Sequence, residues 1–114
     1  MTENEIDRME AQEIEFLVAL RVMGKKWDLF TPHYAFDIAA AWQVVEKAHE
    51  ITRATITIHL FGTRDRVKNM PKYMCKFYAG NISYDNPDLE LRAYAETAPL
   101  AICRAALKAV KEKA

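Results

Sequence analysis

Residues 53–61 read RATITIHLF, and residues 72–84 read KYMCKFYAGNISY. In the first stretch Ile56, Ile58 and Leu60 point one way and Thr55, Thr57 and His59 the other, which is the period of a strand with one buried face. In the second, Tyr73, Cys75, Phe77 and Ala79 alternate with Lys72, Met74, Lys76 and Tyr78. The polar stretch between them, GTRDRVKNM at 62–70, reads as a hairpin connection. Two alternating runs so joined predict an antiparallel pair.

Working outward, Asp37 is a good N-cap for a helix over 37–50, with Ile38, Ala41, Trp42, Val45, Ala48 and His49 on one face. That face predicts a helix lying flat on the sheet. Residues 3–23 keep a helical stripe and read as one helix, stopped by Gly24 at the position after the C-cap. Its six acids against two bases gather toward the N-terminal end, where the helix dipole favours them. Residues 25–30 read as an edge strand or an irregular turn. Trp27 reads as a core residue or, alternatively, as an aromatic platform for a flat ligand. The segment 81–87, NISYDNP, is turn-rich, and residues 88–95 alternate weakly. Thr97 and Pro99 open a last helix through the C-terminal lysines. The prediction is one α+β domain over 1–114: an antiparallel β-sheet or hairpin with helices packed on its faces, an α-β-α sandwich.

The chain of 114 residues is 51% hydrophobic and 28% charged, which excludes a disordered polymer. Sixteen Lys and Arg balance sixteen Asp and Glu, an argument against a general DNA or RNA binder. The charge is unevenly spread, since 64–76 carries five bases and one acid. These read as a solvated hairpin tip, or as an anion site. No apolar run approaches the roughly 20 residues of a membrane span. The start MTENEIDRMEAQE is acidic where a signal peptide is basic and then apolar, which predicts a cytoplasmic protein.

Cys75 and Cys103 are isolated and lack metal-ligand spacing, so no metal is expected; they read as two free thiols, with one disulfide as the alternative. There is no GxSxG, phosphate-binding Gly loop, HExxH or GxGxxG. His33, His49 and His59 lie in unlike contexts. Asp85 and Asp88 read as a carboxylate pair able to hold a cation, or as turn chemistry helped by Asn86 and Pro87. The absence of catalytic motifs lowers the expectation of catalysis without excluding it. A binding site is easier to build: Phe77, Tyr78, Tyr84 and Tyr94 supply π-faces, Arg92, Arg104 and the hairpin bases supply donors, and Asn81 or Asn86 can read an adenine edge.

Two stretches carry a resemblance. VMGKKW at 22–27 with YAFDIAAAWQVVEK at 34–47, and AETAPLAICRAALKAV at 95–110, resemble the phage ABA-sandwich domain family over about 17–110. The sequence departs from that pattern at Lys25, where the family has Trp after Met-Gly; Trp27 stands two places on. That family looks similar to the phage anti-Thoeris sponge proteins, which are not enzymes, so the resemblance implies neither catalysis nor a cofactor. The resemblance implies sequestration, without degradation, of cyclic ADP-ribose isomers made by TIR-domain proteins, and of CBASS cyclic oligonucleotides in some members. It also implies homo-oligomers, a hexamer among them, with pockets between subunits. Carried over, Phe77 stacks on the adenine, Asn86 reads its edge and Arg104 faces phosphate. Two other classes stay open: a phage factor that binds a host protein, and a small nucleotide-acting enzyme.

Overall fold

A computed structural model describes residues 2–52, 55–60, 72–78 and 90–113. Three strands form one antiparallel sheet in the order β1 (Thr55–Leu60), β2 (Tyr73–Tyr78), β3 (Glu90–Ala95). The register pairs Ile58 with Cys75 and Cys75 with Ala93, so the alternation of both hairpin strands holds. The connection 62–70, the Asp85 and Asp88 pair and the turn 81–87 lie outside the described residues. One sheet face carries Cys75, Phe77, Leu91, Ala93 and Ala95, all buried in the core.

That face is covered by α4 (Ala98–Lys113). Helix α4 is buried almost all round because alanines at 101, 105, 106 and 109 let neighbours approach from several sides. Helix α3 (Ile38–Thr52) begins at Asp37, whose Oδ1 accepts from the Ala39 N–H at 2.8 Å and the Ala40 N–H at 3.4 Å. It packs chiefly on α4 and meets the sheet mainly along β1, so it does not lie flat on the sheet as expected. Its buried face is Ala40, Ala41, Val44, Ala48 and Thr52, while Ile38 and Trp42 are about half exposed. Close approach to α4 selects the alanine face over the bulkier one.

The stretch 3–23 is not one helix. A capping box, with the Glu5 N–H donating to Thr2 Oγ1 at 3.1 Å and the Thr2 N–H to Glu5 Oε1 at 3.3 Å, starts α1 (Glu3–Arg8). Met9 and Glu10 are extended, and α2 (Ala11–Leu17) follows. The break has a partner far along the chain: Arg104 Nη2 donates to the Met9 carbonyl at 3.1 Å. Helix α2 runs into a π-helical turn, Val18–Val22, that keeps Val18, Ala19 and Val22 in the core. Gly24 ends it with φ +68°, a conformation that favours glycine, and the Lys25 N–H donates to the Ala19 carbonyl at 2.8 Å.

Residues 25–30 form a turn rather than a strand. Asp28 organises it: Oδ1 accepts from the Phe30 N–H at 2.8 Å, and the Asp28 N–H donates to Thr31 Oγ1 at 2.9 Å. The turn holds Leu29 and Phe30 97% and 91% exposed. Trp27 is 39% exposed, so the core reading gives way.

Candidate functional site

Phe77 is fully buried under α4 and presents no face to a ligand in this structure. The strand period explains it, since Phe77 shares the core face with Cys75. Arg104 does not face an open site. Its Nη1 donates to the Tyr94 carbonyl at 2.9 Å and its Nη2 to the Met9 carbonyl. Its Nε is buried with no hydrogen-bond partner among the described residues. Burial pulls this guanidinium down from its ordinary range, and Asp7 partly offsets the shift. Phe77 and Arg104 are therefore not brought together around a cavity. Asn86, Asn81 and Tyr84 lie outside the described residues.

The opposite sheet face assembles other groups that the sequence put forward. The register sets Lys76 directly beside Arg92, with Thr57 completing the row across β1. Tyr94 lies in the next row, paired with Met74. Arg92 is exposed and Tyr94 half-buried. Lys76 and Arg92 thus stand on neighbouring strands one row from Tyr94, so the register sets two cationic residues and a phenol on one sheet face. The backbone beneath is fixed by Lys108, whose Nζ donates to the Arg92 carbonyl at 2.7 Å and pairs with Asp7 Oδ1 at 2.7 Å.

A second feature was not legible as a unit. An open cleft of about 750 Å³ lies between α2 and the segment 27–37. Its walls include Glu15, Phe16, Trp27, His33, Phe36 and Asp37. Glu15 is almost fully buried: Oε1 accepts from the Ala35 N–H at 3.3 Å, and Oε2 stands 3.5 Å from His33 Nδ1. The rings of Trp27 and His33 meet edge to face, centroids 6.4 Å apart. Trp27 lines this wall, and its neighbours there come from α2 and from residues 33–37, which the sequence does not set side by side.

Cys75 and Cys103 are free and buried. Burial pushes the Cys75 thiol up to about 12 and raises that of Cys103 further. Cys103 Sγ donates to the Tyr34 carbonyl at 3.2 Å. Among the described residues no three His, Cys, Asp or Glu side chains are grouped to hold a metal. No helix among them is long and apolar enough to cross a membrane.

The fold has a solved counterpart. A phage protein from Bacillus cereus ATCC 14579, known from a crystal structure at 2.0 Å, is similar at 28% identity with a TM-score of 0.66. The alignment covers 90% of this chain and 89% of that one. No curated protein matches. The family model of the phage ABA sandwich domain matches residues 16–107, a span from α2 to the last turns of α4 that takes in the whole sheet. The chain belongs to the phage ABA sandwich domain family.

Proposed function

We propose that this phage protein is an anti-defence sponge: it binds a nucleotide-derived immune signal, a cyclic ADP-ribose isomer or a cyclic oligonucleotide, and holds it without degrading it. The observation that carries the reading is the register placing Lys76 beside Arg92 on the sheet face opposite α4, with Tyr94 in the next row. Two cations on adjacent strands suit the two charges of a pyrophosphate, and an aromatic ring within reach suits a base. Family membership and the AETAPLAICRAAL resemblance support the phage setting and the sponge class. Sequestration requires slow release and no reacting group, and the buried, protonated thiols agree with that. In this reading the protein acts in the host cytoplasm as a homo-oligomer.

Calorimetric titration with TIR-derived cyclic ADP-ribose isomers and a panel of cyclic di- and trinucleotides tests the proposal. The complex is then boiled and the released ligand identified. The expected result is tight binding, intact ligand, and a loss of about tenfold or more in the Lys76→Gln, Arg92→Gln double variant. Absence of binding across the panel overturns the reading, and chemically altered ligand makes the protein an enzyme instead. A second reading, contact with a host protein, is favoured by Leu29 and Phe30, which the Asp28 turn holds in water.

A further inference from the structure

The cleft between α2 and the segment 27–37 has a chemistry opposite to that of the sheet face. Three aromatic rings line it, Phe16, Trp27 and Phe36, each more than a third exposed. Two carboxylates, Glu15 and Asp37, share the wall, and no lysine or arginine does among the described residues. His33 is tethered to Glu15 and packs its ring edge to face with Trp27. Among the described residues Gln12 completes the lining with a neutral amide.

A phosphate in such a cleft meets two carboxylates and, among the described lining residues, no lysine or arginine. A neutral apolar molecule covers the exposed Asp37 carboxylate and gives it no counter-charge, which costs free energy. A cation is drawn by the ring quadrupoles and by both carboxylates. The geometry points to a binding site for an organic cation, a guanidinium or alkylammonium group, seated against Trp27 with Asp37 and Glu15 as its counter-charges. The positions are held in advance. Glu15 is fixed by the Ala35 N–H, Asp37 by its role as the α3 cap, and Trp27 adjoins the Asp28 turn. The site is separate from the sheet face and does not depend on the sponge reading.

Choline and its neutral carbon isostere dimethylbutanol, of nearly equal shape, isolate the role of charge; arginine amide probes the guanidinium form. Each is titrated into the full chain by calorimetry, with light scattering at the start and end. Saturable choline or arginine amide binding is expected, at least about fivefold tighter for choline than for the isostere. Trp27→Ala should weaken it by about fivefold or more, and so should Asp37→Asn, which keeps a capping oxygen but removes the charge. Binding to a particle of unchanged mass identifies a free small cation as the ligand. Binding that splits an oligomer identifies a cationic side chain of another copy. Equal affinity for the isostere, no saturation by either cation, or unchanged affinity in Asp37→Asn with a native melting curve overturns the site. Nucleotide titration has its own outcome, so failure here leaves the sponge reading standing.

Discussion

Tyr34 is fully buried, and its hydroxyl has no hydrogen-bond partner among the described residues. Burial and the neighbouring Cys103 both raise its pKa, so the phenol stays protonated with its dipole unanswered. An unmade buried hydrogen bond carries the desolvation penalty with no return. Tyr34→Phe keeps the ring and removes the orphan, and is expected to raise stability by about 1 kcal/mol, read as a higher urea midpoint at unchanged slope. Arg104 presents the converse case. Two of its nitrogens satisfy carbonyls of the N-terminal arm and β3, and the side chain is half-buried. Arg104→Ala is expected to cost about 2 kcal/mol, and hydrogen exchange should rise first in residues 3–9. Unchanged protection of that stretch would show that the guanidinium does not hold the arm.

Among the elements, those set by local pattern were legible and those set by distant partners were not. Ile56, Thr57 and Ile58 announce β1 by alternation alone, and Asp37 announces the start of α3 through its own cap. The break at Met9 has no local breaker residue. Its carbonyl is answered by Arg104, 95 residues away, and no window along the sequence reveals that. The face of α3 was misplaced because Ile38 and Trp42 have the stronger hydrophobic pull, whereas the fold chose the alanines that let α4 come close. For the candidate site, Arg92 and Tyr94 were visible as donors and rings, but their adjacency to Lys76 needs the register of two strand pairs. Phe77 was drawn to the ligand by resemblance and to the core by strand period, and the structure follows the period.

At the scale of the whole molecule, the two thiols couple the core to alkaline pH. Each has a raised pKa in the folded chain, so the unfolded chain ionises first as pH rises. Stability from this source is complete below the ordinary thiol value of 9.0 and falls as pH climbs toward about 12. Urea midpoints should decline across that window, less steeply in Cys75→Ala, and neither thiol should react with iodoacetamide near neutral pH until the chain unfolds. The π turn at Val18–Val22 bears on how such chains tolerate changes in length. A helical residue advances the chain by about 100° of rotation, so the wider turn acts as a phase shift between α2 and everything that follows it. Deleting one residue there would not shorten a loop. It would turn Trp27 and the Asp28 knuckle around the helix axis as a block, and relatives of different length would carry the same arm aimed at a different neighbour.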